Sequence, residues 1–455
     1  MFAKINFHDE FYQKLKLLVL PITMQQFMLA LVSATDAIML GAVSQTSLSA
    51  VSLAGQIQFV LNLFISGISA GSGIMAAQYW GKKDAASIEE VMPIALRTNL
   101  IFSGAFTVFA AVVPEVLMRI FTSDPALIES GAVYLRAVSL SYLLCGISQI
   151  YLILLKNTGY ATVSSRISCT AVVVNIICNA ILIYGLLGLP ALGIQGAAYA
   201  TVAARLVELI WSYLETKQSG RVQIIWKKMF RAADAVLTKD FWRYTTPVLG
   251  AALVWGIAYV SYSVIMGHMG SDAVAANSIT TIAKNMLSCL IRGVSGGAGV
   301  LIGNLLGAGE LDKAKVYGGR LTRMAIVVGM TTGGLLMLIS PLIVRFAPLS
   351  ETAAEYLQYM LIFCGCNIMA QSVNTTVLDG IFCAGGDSKF DMKGNLGAMW
   401  CFSVPFGFFA AFVLKWPVMV VYCIVNLDEI VKIPAVYLHY KKYIWVRNIT
   451  VQEEA

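Results

Sequence analysis

The chain has 455 residues, of which 58% are hydrophobic and only 13% charged, about half the charged fraction of an ordinary soluble domain. Its mean hydropathy is +0.75, and the apolar residues run in blocks along the whole length. That excludes a soluble globular protein and points to a polytopic membrane protein whose partner is the lipid bilayer. The net charge of +7 lies between the apolar blocks. There it orients the chain, and it is not a nucleic-acid footprint.

Backbone groups in lipid must pair within their own segment, so the blocks are expected to be helices in an all-α bundle. Twelve spans are expected, over 15–43, 50–78, 91–113, 131–155, 162–188, 191–214, 241–268, 274–305, 316–347, 353–383, 389–414 and 416–440. Residues 1–14 read as a cytoplasmic N-terminal segment, 15–214 as a first six-helix lobe and 241–440 as a second. Residues 215–240 link the lobes, and 441–455 form a tail. Lysine and arginine crowd the connections on one side, among them Lys82, Lys83, Lys227, Lys228, Lys441 and Lys442. This places both termini in the cytoplasm, with the protein in the plasma (inner) membrane. The linker "RVQIIWKKMFRAADAVLTKDFW" suits either an amphipathic segment on the inner membrane surface or a solvated loop. The start is polar and leads into the first span, so no cleavable signal is expected. The nine cysteines lack metal-site spacing and read as small buried residues.

Shifted by 226 residues, the sequence matches itself: Pro21 falls on Pro247, Gly67 on Gly293, Gly71 on Gly297 and Gly81 on Gly307. "GISAGSGIMAAQYWGKKD" lies over "GVSGGAGVLIGNLLGAGE" without a gap. Each repeat holds six spans, an even number, so the two enter the bilayer the same way round. Parallel repeats are related by an axis along the membrane normal, and a cleft between two such lobes is the mechanical basis of alternating access.

Asp36 interrupts an apolar run in the first span, where a carboxylate costs on the order of 3 kcal/mol. With about 1.5 Å of rise per residue, Asn179 in the fifth span and Thr201 in the sixth sit at matching depth. Asn175 shares the Asn179 face, one turn away. A carboxylate, two amides and a hydroxyl there suit Na⁺ as a hard monovalent ion, or a proton on a buried acid. They also suit a hydrogen-bonded plug that only holds helices together. In the second repeat the same shift turns Asp36 into Tyr262, Asn175 into Cys401, Asn179 into Pro405 and Thr201 into Leu427. The polar set belongs to one repeat.

Lys284 and Arg292 lie inside the eighth span, where they either line a cleft or pair locally. Asp428, Glu429 and Lys432 in the last span are spaced to neutralise one another, and Asp379 sits near the inner end of the tenth. Met24, Met28, Phe59, Trp255, Tyr259 and Tyr262, with Lys284, are candidates for a cavity that takes flat apolar cations. No phosphate loop, histidine–cysteine metal set or nucleophile with a base is present in the sequence. A non-enzymatic protein without a cofactor is expected, its work driven by an ion gradient.

The order and spacing of "TDAIMLG", "AAQYWGKKD" with its echo "IGNLLGAGE", "KNTGY" and "CAGGDSKF" resembles the multidrug and toxic compound extrusion family, over residues 11 to 445. The resemblance implies two six-helix lobes and cation-driven antiport of organic cations and drugs, with Na⁺ or H⁺ as coupling ion. It implies that Asp36 is the coupling acid and that Asn175, Asn179 and Thr201 are its partners. The chain departs from the family where one branch has acids in the seventh and tenth spans; here those places hold Trp255 and Ser372. Asn179 stands where some members have an acid, and Cys383 where an arginine is frequent. A monomer is expected. The alternative is a flippase for lipid-linked saccharides, of the same architecture.

Overall fold

The computed structural model describes residues 10–450, apart from Leu189, 231–233 and Pro348. The start of the expected N-terminal segment, Arg231 of the linker and the last five residues of the tail lie outside the described residues.

The first repeat consists of α1 (Glu10–Val43), α2 (Gln45–Gly81), α3 (Ala85–Val112), α4 (Pro125–Asn157), α5 (Ala161–Tyr184) and α6 (Gly193–Thr216). The second consists of α7 (Ala235–Gly267), α8 (Ser271–Gly307), α9 (Leu311–Phe346), α10 (Glu351–Phe382), α11 (Ser388–Val413) and α12 (Val418–Val425 with Asp428–Tyr440). The chain is an all-α polytopic membrane protein of twelve transmembrane helices in two pseudo-symmetric six-helix sets. Ten of the helices are long and apolar enough to cross a bilayer by length and composition alone. The other two, α6 and α12, carry charge within the span: Arg205 and Glu208 in α6, and Asp428, Glu429 and Lys432 in α12.

Capping follows the sequence. Ser44 caps α2 through the Ser47 amide, Asp84 caps α3 through Ser87, and Asp124 caps α4 through Ala126; each satisfies an amide that the helix start leaves open. The fifth span ends earlier than expected. Gly185, at φ 71°, stops α5 in the left-handed conformation that favours glycine. Among its described residues the linker holds no long helix of its own between α6 and α7. Turns after α6 lead through irregular residues 222–225 to one helical turn at Trp226–Met229, fastened by Trp226 Nε1 donating to Tyr151 Oη at 2.7 Å and by Lys228 pairing with Glu90 at 2.6 Å, and residues 235–240 already belong to α7. Beyond α12, Trp445 is fully buried in an apolar cluster with Phe11, Leu321 and Phe382.

Two compact units emerge. One is Met24–Leu249, and the other combines the described parts of Met1–Thr23 and Gly250–Ala455. The unit limits fall 226 residues apart, within three residues of Pro21 and Pro247. The exchange of helix starts accounts for the repeated glycines. In one unit, a Cβ on Gly67 of α2 would stand 2.8 Å from Leu249 Cα, and one on Gly71 would stand 2.6 Å from Thr245 Cα. In the other, a Cβ on Gly293 of α8 would meet Thr23 Cβ at 2.9 Å, and one on Gly297 would meet Val19 Cγ2 at 2.9 Å. Small residues let helix backbones approach closely in a membrane, where the lipid supplies no hydrophobic drive for association.

The second repeat carries several irregularities, including π-helical stretches in α11 at Leu396–Ser403 and Phe409–Val413. The inner end of α10 widens into a π-helical stretch, Thr376–Phe382, with the Thr375 carbonyl taken by Ser295 Oγ at 2.9 Å. α12 breaks at Asn426, whose carbonyl accepts from Asn367 Nδ2. Broken backbone survives at membrane depth only when neighbours satisfy it in this way. The cysteine expectation holds in part: Cys145, Cys289, Cys364 and Cys383 are buried, but Cys366 and Cys401 are exposed. In a lipid-bathed bundle the outward face is as apolar as the core, so hydrophobic character does not specify the inside.

Gly71→Val is expected to lower stability by about 1–3 kcal/mol through overpacking against Thr245. Gly104→Val, with open space around its Cβ, serves as the control and should cost markedly less. Thermal unfolding of the purified protein in detergent reads both.

Candidate functional site

α1 runs along α5 in a constant register. Gln25 Nε2 donates to Ser168 Oγ at 2.9 Å, Asn179 Nδ2 donates to Asp36 Oδ1 at 2.5 Å, and Tyr184 Oη donates to the Met39 carbonyl at 3.0 Å. The first two pairs are each separated by 143 residues and the third by 145, so the two helices rise together. This sets Asp36 opposite Asn179 and not beside some other turn of α5.

The four residues proposed from the sequence come together. Asn175 and Asn179 are buried on one face of α5, and Asn179 Nδ2 also donates to Asn175 Oδ1 at 3.0 Å. Asn175 Nδ2 in turn donates to Thr201 Oγ1 of α6 at 3.4 Å, and the Thr201 hydroxyl donates to the Ala197 carbonyl at 3.0 Å. Asn179 Oδ1 is buried without a partner, so an acceptor oxygen stands beside the Asp36 carboxylate. Asp36 itself is half-buried, and among the described residues no lysine or arginine pairs with it. A half-buried carboxylate with one amide donor, an unused amide oxygen and a hydroxyl nearby can take a proton or a monovalent cation. No group of three or more histidine, cysteine or acidic residues able to hold a metal occurs among the described residues. Any ion at Asp36 therefore relies on one charge and neutral oxygens.

The candidate cavity residues divide between the two units. Met24 is 53% exposed, and Met28 and Phe59 are half-buried in Met24–Leu249. Trp255 and Tyr259 stack in the other unit, with centroids 5.5 Å apart and planes at 17°. Tyr262 packs against a small apolar cluster with Ile265 and Val421. Lys284 is half-buried and Arg292 exposed, and neither makes a hydrogen bond or ion pair among the described residues. Asp379 is exposed on the π-helical stretch.

Sequence reasoning missed a second polar centre in the first repeat. Glu208 of α6 is 1% exposed; it accepts from Arg205 Nη1 at 2.7 Å, Ser148 Oγ at 3.0 Å and Ser168 Oγ at 3.3 Å. The signal was present as two opposite charges three residues apart in an apolar helix. The serines and Gln25 carried none, because only the packing of α1, α4 and α5 brings them there. The spacing that makes Lys432 neutralise its neighbours is seen in the structure: Lys432 Nζ lies 3.0 Å from Glu429 Oε1 and 3.6 Å from Asp428 Oδ2.

A family model described as MatE matches residues 21–181 and 247–409, two stretches that begin 226 residues apart. "Uncharacterized transporter YisQ" of Bacillus subtilis is 23% identical, covering 91% of this chain and 90% of its own. "Probable multidrug resistance protein NorM" of Agrobacterium fabrum is 24% identical, covering 76% and 73%. Among solved structures, a MOP superfamily transporter from Pyrococcus furiosus superposes with a TM-score of 0.86 at 18% identity, over 95% of each chain. A multidrug resistance MATE family transporter in an outward-facing conformation gives 0.82 at 16% identity, again over 95% of each.

Replacing Asn179 by leucine leaves Asp36 and Asn175 without their shared donor, a loss of about 1–3 kcal/mol. The Asp36→Leu/Asn179→Leu double variant should lose less than the sum of the two singles, with a coupling of about 0.5–3 kcal/mol. Unfolding midpoints of the four proteins measure it.

Proposed function

The chain belongs to the MatE family of multidrug and toxic compound extrusion transporters, which are not enzymes, and from that premise we propose a secondary antiporter. It exports amphipathic, cationic small molecules in exchange for Na⁺ or H⁺. The observation that carries the proposal is Asp36: a carboxylate within a membrane span, held by one amide, unpaired with any described base, and flanked by the unused oxygen of Asn179. Such a group gains most from a small cation or proton that comes and goes.

The cycle follows from that cost. With the ion on Asp36, the charge in the span is neutralised and the Asn179–Asn175–Thr201 chain keeps its order. When the ion leaves, the carboxylate seeks another cation, and the positive group of a substrate competes for it. Loading by one species thus favours release of the other, the requirement for exchange. The two repeats supply the lobes, residues 15–214 and 241–440, whose rocking exposes the site alternately to each side. The positive connections place both termini and the 215–240 linker in the cytoplasm, with the protein in the inner membrane. Met24, Met28, Phe59, Trp255, Tyr259 and Tyr262 supply apolar and aromatic surface for flat cations, with Lys284 tuning the charge.

Proteoliposomes with sodium and pH gradients imposed separately test the proposal. Wild-type protein is expected to drive export of a fluorescent organic cation with one of the two gradients. Asp36→Asn should reduce it at least a hundredfold while still inserting and folding. Efflux that continues unchanged after both gradients are collapsed rules the mechanism out.

A further inference from the structure

The two repeats share a polar centre whose sign is reversed. The equivalences come from the sequence, with the shift drifting slightly along each repeat. At a shift of 226, Ser148 of α4 corresponds to Asn374 of α10. Past the fourth and tenth spans the shift is 227, which pairs Gly159 with Gly386, both at positive φ, and Ser168 of α5 with Asn395 of α11. In the last spans it is 224, which matches Tyr213-Leu214 to Tyr437-Leu438 and places Arg205 on Glu429 and Glu208 on Lys432.

In each unit these positions meet. In the first repeat the centre is a carboxylate, Glu208, held by Arg205, Ser148 and Ser168. In the second the centre is an ammonium. Lys432 is 5% exposed, and its Nζ lies 3.0 Å from Glu429 Oε1, 3.2 Å from Asn395 Oδ1 and 3.6 Å from Asp428 Oδ2. Asn374 Nδ2 donates to Glu429 Oε2 at 2.8 Å, and Asn395 Nδ2 donates to Asp391 Oδ1 at 3.0 Å. Asn374 is 1% exposed, and its Oδ1 has no partner. Lys284 of α8 makes no bond to any of these groups.

Two carboxylates and the Asn395 amide oxygen around Lys432 Nζ form the donor set of a hard cation, and the unused Asn374 Oδ1 belongs to the amide that holds Glu429. The acids begin the lower segment of α12, so its helix N-terminus supports them. Neutralising one lysine takes one carboxylate. Here two lie on the same turn, with Asp391 a further step away through Asn395.

We infer that Lys432 is a tethered cation occupying a monovalent-cation site in the second repeat, which closes that site to mobile ions. Exchange of free cations is then left to the Asp36 repeat. Removing the Lys432 side chain opens the site to Na⁺ or to a small alkylammonium that replaces the lost group. The assignment of exchange to the Asp36 repeat rests on the antiport proposal, whereas the occupied site at Lys432 is a matter of ion binding and is tested apart from it.

The test uses full-length protein carrying Asp36→Asn, so that the first-repeat site is neutral, and follows thermal unfolding in detergent. Sodium chloride, methylammonium chloride and choline chloride are titrated at constant ionic strength. The Asp36→Asn parent should show no ion-specific shift. Adding Lys432→Ala should give a melting temperature that rises and saturates with Na⁺ or methylammonium and ignores choline. Should that protein not fold in choline, Lys432→Ala with Asp428→Asn keeps the parent's net charge and leaves the Glu429 carboxylate with the amides of Asn374 and Asn395 and a third amide at position 428. It should show the same selective response. An equal response to choline, no response in the variant that folds, or the same response in the parent overturns the inference.

Discussion

The hydrogen bond between Asn179 and Asp36 is the contact on which the site depends. A carboxylate cannot stay in a membrane span without compensation, and α1 holds no lysine or arginine after Lys16 to supply it. Compensation comes from α5 as one amide donor at 2.5 Å. It satisfies the carboxylate in part and leaves room for a further partner. A full ion pair at the same place, such as Glu208 has with Arg205 at 2.7 Å, would hold its charge permanently.

That contact depends on helix register, and the register depends on small residues. α1 is pinned to α5 at Gln25, Asp36 and Met39. Its start belongs with α8, where Gly293 and Gly297 leave room for Thr23 and Val19. The start of α7 does the same against Gly67 and Gly71 of α2. α1 and α7 therefore each change unit close to a proline. Proline removes a backbone donor and weakens the helix at that turn, and the unit limits fall there in both repeats.

Duplication produced two similar frames and different chemistry within them. The first repeat carries an acid without a described base at Asp36 and a closed ion pair at Glu208. The second has Tyr262 in place of Asp36, and a lysine surrounded by acids where Glu208 would be. Polar groups in a bundle that served only as helix glue would be retained in both copies, because both copies pack in the same way. Their divergence is a difference between the copies that shared packing alone does not account for.

Much of this is legible in the amino-acid sequence. Hydropathy blocks, even span number and the 226-residue echo are local or periodic properties, and they determine the membrane class, the helix count and the presence of two six-span sets. The depth of Asp36, Asn175, Asn179 and Thr201 is also legible, because a helix converts residue number into height at a constant rise. What height cannot supply is azimuth, the direction in which each face points. Only the packed helices decide that Asn179 faces Asp36, that Ser148 and Ser168 close around Glu208, and that Asn374 and Asn395 reach the α12 acids. The same limit explains the exposed Cys366 and Cys401, since in lipid an apolar residue serves equally well on either face. The early end of α5 at Gly185, the widened turn of α10 and the break in α12 are likewise decided by tertiary structure, because each needs a partner from another helix or a backbone conformation that hydropathy does not record.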